Sequence, residues 1–213
     1  MALVLHGYRY SVYTRIARLV LAEKGVAYGR VEVDPFAADR PADDANLHPF
    51  GRVPTLVHDG FVLYETAAIT RYLDRAFAGP HLQPAAPRAA ARMDQTIGIV
   101  DAYGYWPMVR QVFAHRVLRP AAGRPADEAE VAHGLAGSAK VLAALESLAE
   151  PHGFLVGPDL SLADLHVGAM VAYLAMAPEG LALLQRQPRL AAWWDTVGRR
   201  PSFALTAPGL PTP

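Results

Sequence analysis

The order of secondary-structure elements over residues 1–77 constrains the fold more than any other feature of the sequence. "ALVLH" has the apolar pattern of a short buried strand, "SVYTRIARLVLAEKG" that of a helix capped by Ser11 and stopped by Gly25, and "GRVEVD" that of a second strand. "TLVHDGFVLYETAAITRYLD" then predicts strand, Asp59-Gly60 turn, strand and helix. The order β-α-β followed by β-β-α predicts an α/β domain with a four-stranded mixed sheet.

The pattern of the sequence changes after Phe77. The stretch "AGPHLQPAAP" is rich in proline and predicts a linker over residues 78–87, whereas residues 88–118 and 126–150 carry helical periodicity. Further on, Ser161 and Asp164 have the spacing of a capping box, with Leu160 and Leu165 placed as a hydrophobic staple. We expect an all-helical second domain over residues 88–213, ending in a loose tail, "TAPGLPTP".

Charge and composition exclude several classes of function. Twenty basic and twenty acidic residues cancel, so no overall field favours nucleic acid or an anionic membrane. The absence of cysteine excludes a disulfide scaffold, a thiolate metal site and redox chemistry on a protein thiol. There is no signal-peptide pattern and no apolar run near the roughly 20 residues of a membrane span, so we expect a soluble cytoplasmic protein.

Pro54 raises the first question about function, because it directly precedes a strand predicted to lie inside the sheet. A trans proline fits poorly there. A cis Val53-Pro54 peptide would leave the N–H and C=O of Val53 pointing outward, free to pair with an extended ligand. The alternative is an ordinary trans proline at the start of the strand, since cis X-Pro bonds are uncommon.

Two predicted helix N-termini carry polar side chains that suit a ligand. At Glu65-Thr66, free N–H groups and the Thr hydroxyl suit the carboxylate of an amino-acid head, and Glu65 suits its ammonium group. At the other N-terminus, the Ser11 hydroxyl is placed to stabilise a thiolate, which a ligand must supply because the chain has no cysteine. Simple helix capping is the alternative at both places.

The sequence resembles the cytosolic glutathione transferases, in particular the serine-type classes that are bacterial, phi-like or theta-like. The resemblance rests on five features in this order: the Ser cap, the Val-Pro before the third strand, the Glu-Thr pair, the Pro-rich linker and the Ser-x-x-Asp box. The likeness covers essentially the whole chain. It implies a thioredoxin-like domain over 1–77 that binds glutathione, and an all-α domain over 88–213 that forms most of the pocket for a hydrophobic electrophile. It also implies a cytoplasmic homodimer, active in detoxification, that uses glutathione as co-substrate and no metal.

The resemblance places Ser11 where serine-type members hydrogen-bond the glutathione sulfur. Gly7 occupies the position of the catalytic tyrosine of other classes. Tyr8, Tyr10 and Tyr13 nevertheless cluster around Ser11 in the sequence, so a neighbouring phenol is an alternative donor to the thiolate.

The rest of the glutathione site follows from the same resemblance. Val53, before the cis Pro54, corresponds to the residue whose backbone pairs with the cysteinyl part of glutathione. Glu65-Thr66 corresponds to the pair that holds the γ-glutamyl head, with Thr in place of the usual Ser. Arg40 and Arg52 stand where several serine-type classes place a basic or amide side chain near the glycyl carboxylate.

For the second substrate, the first loop and the segment "DAYGYWPMVRQVF" offer an aromatic, mostly apolar lining. The predicted lining residues are Tyr10, Val12, Tyr103, Trp106, Arg110 and Phe113. Packing in the core or in a dimer is the alternative for these aromatic residues. Either Asp94 or Asp101 is a candidate to reach glutathione in a neighbouring subunit.

Other functions stay open alongside conjugation. The same fold with an intact site could act as a non-catalytic carrier of glutathione or apolar ligands, or as a scaffold without a glutathione site. A specialised glutathione-dependent isomerase, dehalogenase or ether-cleaving enzyme is a further alternative, because pocket shape decides such specialisation. The missing cysteine argues against the cysteine-type classes and against maleylacetoacetate isomerases, whose Ser-Ser-Cys is replaced by Ser11-Val12-Tyr13.

Overall fold

The structure, a computed structural model, describes residues 2–37, 47–151 and 153–211. The chain divides into two compact units, Met1–His81 with Leu205–Pro208, and Leu82–Ala204 with Gly209–Pro213. The division falls inside the segment predicted as a linker. Residues Leu205–Pro208 require a correction, because the sequence analysis placed them in the helical domain and its loose tail, whereas they group with the first unit.

The first unit has the predicted βαβ-ββα order. Its elements are β1 (Leu3–Gly7), α1 (Val12–Glu23), β2 (Gly29–Glu32), β3 (Thr55–His58), β4 (Phe61–Tyr64) and α2 (Thr66–Ala76). The strands form one sheet in the order β2-β1-β3-β4, in which β1 is parallel to β2 and antiparallel to β3, and β3 is antiparallel to β4. The predicted four-stranded mixed sheet of a thioredoxin-like domain is confirmed.

Local sequence signals explain where these elements begin and end. Ser11 is the N-cap of α1, and Gly25 follows its end with φ of +64°, a conformation that costs glycine little. Asp59 and Gly60 both have positive φ and form the tight turn between β3 and β4. The Ala2 N–H donates to the Asp59 carboxylate across 2.6 Å, and this hydrogen bond lowers the pKa of Asp59.

Helices make up the second unit. They are α3 (Pro87–Ile99), a π-helical segment (Val100–Leu118), α4 (Arg119–Ala121), α5 (Glu128–Leu148), α6 (Leu162–Leu174), α7 (Pro178–Gln185), α8 (Pro188–Val197) and α9 (Pro201–Leu205). Proline opens α3, α7, α8 and α9, where its missing N–H has no partner to lose. The predicted helical stretches over 88–118 and 126–150 correspond to the first two long runs. Among the described residues no helix is both long and apolar enough to cross a bilayer.

The predicted box at the start of α6 centres on a buried carboxylate that accepts four hydrogen bonds. The buried Asp164 carboxylate accepts bonds of 2.8 Å from the Ser161 N–H and hydroxyl, from the Leu155 N–H and from the Trp193 indole N–H. Burial raises the pKa of Asp164, and the donated hydrogen bonds oppose that rise. Asp164 therefore joins α6 to the preceding loop and to α8.

Candidate active site

One edge of the sheet brings together three segments of the first unit. His6 pairs with Thr55, and Thr55 pairs with Tyr64, so these residues form one row across β1, β3 and β4. Three segments of the chain therefore meet at this end of the sheet: the loop from β1 to α1, the start of α2 directly after β4, and the loop before β3. Neighbouring strands lie about 4.8 Å apart, so the row is about 10 Å long. An extended tripeptide has about the same length.

Ser11 lies at the N-terminus of α1, beyond the end of β1. Its hydroxyl oxygen accepts a hydrogen bond from the Thr14 N–H at 3.2 Å, so the capping interaction is present. A serine hydroxyl can donate one bond while it accepts others. Capping and donation to a ligand are therefore compatible at Ser11, although the sequence analysis treated them as alternatives.

The Val53-Pro54 peptide is cis and directly precedes β3. Pro54 is buried and Val53 is half-buried. Among the described residues, neither the N–H nor the C=O of Val53 has a hydrogen-bond partner. The trans alternative is thus wrong, and Val53 presents a backbone donor and acceptor at the edge of the sheet.

Glu65 is the N-cap of α2, but its side chain does not cap the helix. Its backbone has φ of 69° and ψ of 112°, a region that non-glycine residues rarely occupy. The carboxylate is exposed and bonds to no group in the described part of the chain, and the same holds for the hydroxyl of the buried Thr66. Simple side-chain capping by Glu65, the alternative considered above, is therefore wrong.

Gly7 ends β1, close to the side chain of Thr14. A Cβ at position 7 would overlap the Thr14 Cγ2 and lie 2.6 Å from its Oγ1, so a tyrosine does not fit without displacing Thr14. Tyr8 and Tyr10 meet edge-on with ring centroids 5.5 Å apart, and both are half-buried, as is Tyr13. Phenols are thus present near Ser11 in the sequence, although none stands at the end of β1 itself.

The two arginines predicted near the glycyl carboxylate differ in what the structure describes. Arg40 lies outside the described residues. Arg52 is exposed, next to Val53. His48 is buried, and its Nδ1 accepts the Phe50 N–H at 3.2 Å.

The second-substrate residues divide into exposed and buried groups. Tyr103 and Trp106 are 68% and 58% exposed, and the Arg110 guanidinium lies 5.9 Å from the centre of the Trp106 ring. Phe113 is only 1% exposed and stacks on Tyr173 at 4.5 Å between centroids, so its ring has almost no surface to offer a ligand.

In the first unit, Val12 is likewise buried, whereas Tyr10 is half-buried. Of the two candidate aspartates, Asp94 is exposed on α3, and the Asp101 Oδ2 lies 3.5 Å from Nδ1 of the buried His166.

Arg9 is a residue that no sequence pattern marked as functional. Its N–H donates to the Glu32 carboxylate at 2.6 Å, and its Nε donates to the Pro208 carbonyl at 2.8 Å. The second bond joins residues 199 positions apart, and no local pattern in the sequence signals it.

Fold and site together define a class of protein. The first unit has a cis-proline and two helix N-termini at the same edge of its sheet, and a helical unit follows it in the chain. These features define a thioredoxin-like protein with a candidate site for a short extended ligand.

Comparisons with known proteins identify the family. The model of the glutathione S-transferase N-terminal domain matches residues 5–81, and that of the C-terminal domain matches residues 106–201. Glutathione S-transferase 3 of Zea mays is 30% identical over 99% of this chain and 96% of its own length. Glutathione S-transferase F10 of Arabidopsis thaliana is 30% identical over 88% of each protein.

Solved structures agree with this assignment. Glutathione S-transferase III in apo form has a TM-score of 0.85 and 31% identity, over 100% of this chain and 99% of that one. Glutathione S-transferase I from mais, in complex with an atrazine glutathione conjugate, has a TM-score of 0.83 and 26% identity over 97% of each. The chain belongs to the glutathione S-transferase family, and its enzyme class is glutathione transferase.

Proposed function

We propose that this protein conjugates glutathione to a hydrophobic electrophile, with the thiolate held at Ser11 and the γ-glutamyl head held at Glu65-Thr66. The observation that carries the proposal is the row of His6, Thr55 and Tyr64, because it gathers the three segments at one sheet edge. The row's length of about 10 Å matches that of an extended tripeptide.

At the β1 end, Ser11 donates its hydroxyl hydrogen to the glutathione sulfur while its oxygen accepts the Thr14 N–H. The N-terminus of α1 adds its partial positive charge. A free thiol has a pKa of about 8.5, so it is only slightly ionised at neutral pH. Both interactions favour the thiolate and lower the pKa of the bound thiol.

Between the two ends, the N–H and C=O of Val53 pair with the cysteinyl backbone of glutathione, as in β-type peptide recognition. At the β4 end, the exposed Glu65 carboxylate binds the γ-glutamyl ammonium, and the Thr66 hydroxyl and the N-terminus of α2 bind its carboxylate. Arg52, and Arg40 beyond the described residues, bind the glycyl carboxylate.

The electrophile binds to the exposed rings of Tyr103 and Trp106, with the Arg110 guanidinium next to the Trp106 ring. We propose Tyr10 as a further lining residue, and we give Val12 and Phe113 a packing role because both are buried. One relative was solved with an atrazine glutathione conjugate, an aromatic product that such a surface would suit. We propose detoxification in the cytoplasm, by a homodimer, as the setting.

The test is an ultraviolet difference titration that follows thiolate absorbance of bound glutathione across pH in wild type, Ser11→Ala and Tyr10→Phe. Wild type should ionise the thiol well below its free pKa, Ser11→Ala should lose most of that effect, and Tyr10→Phe should resemble wild type. Conjugation by Ser11→Ala should fall about ten-fold or more, as expected for loss of one charge-assisted hydrogen bond worth about 1.5–3 kcal/mol.

Each other outcome has a definite meaning. Binding without ionisation in wild type would replace the transferase proposal with a carrier. Equal ionisation in wild type and Ser11→Ala would remove Ser11 from the mechanism, and loss of ionisation in Tyr10→Phe would move its role to the phenol. Light scattering should give twice the chain mass, and a monomer would contradict the homodimer.

A further inference from the structure

We propose that Arg9 is a positioning residue for Ser11 and that the segment Leu205–Pro208, which we call the C-terminal strap, holds it in place. This inference rests on the proposed function, because it concerns the same thiolate site. It assigns a positioning role to a part of the chain that begins at the last residue of α9.

The strap is fixed to the first unit by arginine side chains of α1. Thr206 and Pro208 are buried, and they alternate with exposed positions as in an extended chain. The two Nη atoms of Arg18 donate to the carbonyls of Thr206 and Leu205 at 3.1 and 3.3 Å. The buried Arg15 places its Nε 3.5 Å from the Thr206 hydroxyl. The strap is therefore an ordered part of the first unit.

Arg9 connects the strap to the loop before α1. Its Nε donates to the Pro208 carbonyl at 2.8 Å, and its main-chain N–H donates to the Glu32 carboxylate at 2.6 Å. Its guanidinium also lies 5.6 Å from the centre of the Tyr10 ring. Arg9 is thus held by its backbone at β2 and by its guanidinium at the strap, and the same guanidinium lies close to an aromatic ring.

The loop that Arg9 occupies ends at Ser11. The Ser11 N–H donates to the Tyr8 carbonyl at 3.0 Å, so Tyr8 to Ser11 form a turn with Arg9 and Tyr10 as its two central residues. Fixing a central residue of a four-residue turn fixes the direction in which the chain enters α1. The direction of the Ser11 hydroxyl follows, because Ser11 both closes the turn and caps the helix.

The size of the expected effect follows from the cost of misplacement. A displacement of about 1 Å at a reacting group can cost up to about 100-fold in rate. Loss of one of several anchors on Arg9 displaces the turn by less than that, so we expect a fall in kcat/KM of about three- to ten-fold. The thiol pKa of bound glutathione should rise at the same time, because a misdirected hydroxyl stabilises the thiolate less.

Two matched pairs of variants test the proposal. Arg9→Ala removes the bond to the strap, and Arg92→Ala removes an exposed guanidinium in the second unit as a control. A chain ending at Ala207 lacks the Pro208 carbonyl, whereas a chain ending at Leu210 keeps it. Arg9→Ala and the shorter chain should show the lower kcat/KM and the raised thiol pKa, and both controls should match wild type. Arg9→Lys, which keeps a charged donor, should recover part of the loss.

The experiment separates failure of this inference from failure of the proposed function. Wild type that does not ionise bound glutathione would overturn the proposed function and this inference with it. Wild type that ionises it, with an unchanged thiol pKa in Arg9→Ala, would overturn this inference alone. Circular dichroism and urea unfolding report on folding, and if the shorter chain fails to fold, Arg9→Ala decides the matter. A fall in stability with an unchanged thiol pKa would give the strap a structural role only.

Discussion

Replacing Glu65 by glycine should move stability and glutathione binding in opposite directions. Glu65 has φ of 69° and ψ of 112°, yet its side chain neither caps α2 nor bonds to any described residue. A non-glycine residue in such a conformation costs about 1–3 kcal/mol, whereas glycine, which has no Cβ, adopts a positive φ at a smaller cost. The Glu65 side chain therefore does not contribute to the stability of the fold.

The magnitude follows from two opposing terms. Glycine relieves part of the backbone cost of about 1–3 kcal/mol and adds about 0.5–1 kcal/mol of entropy loss on folding. The free energy of unfolding should therefore rise in Glu65→Gly, by up to about 2 kcal/mol. Binding loses a charge-assisted contact worth about 1.5–3 kcal/mol, so the Kd for glutathione should increase by about 10- to 150-fold.

Urea unfolding gives the stability, and isothermal titration with glutathione gives the Kd. Two control variants separate the terms: Glu65→Gln keeps the side chain's Cβ without the charge, and Glu65→Ala keeps only the Cβ. Both should leave stability close to that of wild type while weakening binding. If Glu65→Gly unfolds at lower urea than Glu65→Ala, the backbone at Glu65 is not strained. If all three variants bind glutathione as wild type does, Glu65 has no part in the site.

Two further predictions concern the framework of the first unit. Lys24→Met should lower the free energy of unfolding by about 3–5 kcal/mol, because it removes the ammonium that lies 3.1 Å from the buried Asp74 carboxylate. The double variant Lys24→Met with Asp74→Leu should recover much of this loss, as measured by urea unfolding. Asp59→Asn should be less stable than wild type at neutral pH, and the difference should disappear on acidification. The Ala2 N–H lowers the folded-state pKa of Asp59, so its stabilisation is present above the unfolded-state pKa and is lost as pH falls through the folded-state value. A constant difference in Tm down to low pH would contradict this account.

The parts of the fold that depend on neighbouring residues could be predicted from the sequence. Ser11 and Gly25 mark the two ends of α1 because of their capping preferences. Asp59-Gly60 marks the turn between β3 and β4 because both residues tolerate a positive φ. The conformation of the Val53-Pro54 peptide stayed open in the sequence. Statistics for isolated X-Pro bonds favour trans, the position before an interior strand favours cis, and the family resemblance implied the cis peptide that the structure has.

Other features depend on contacts between distant residues and could not be predicted. The bonds from Arg9 and Arg18 to the strap span 187–199 positions, and no periodicity encodes them. The burial of Phe113 depends on Tyr173, which stacks on it from another helix. The conformation of Glu65 is likewise invisible in the sequence, because an acidic residue before a helix usually reports a cap.

The arrangement of the site follows from strand direction. β1 and β4 are both antiparallel to β3, so they run in the same direction and end at the same edge of the sheet. The helices that follow them, α1 and α2, therefore both begin there, about two strand spacings apart. Each helix N-terminus favours an anionic group, and the cis Val53-Pro54 peptide enters β3 between them. A ligand with a thiolate at one point and a carboxylate about 10 Å away finds a partial positive charge at each. The helix N-termini can therefore hold these two anionic groups in a chain whose formal net charge is zero.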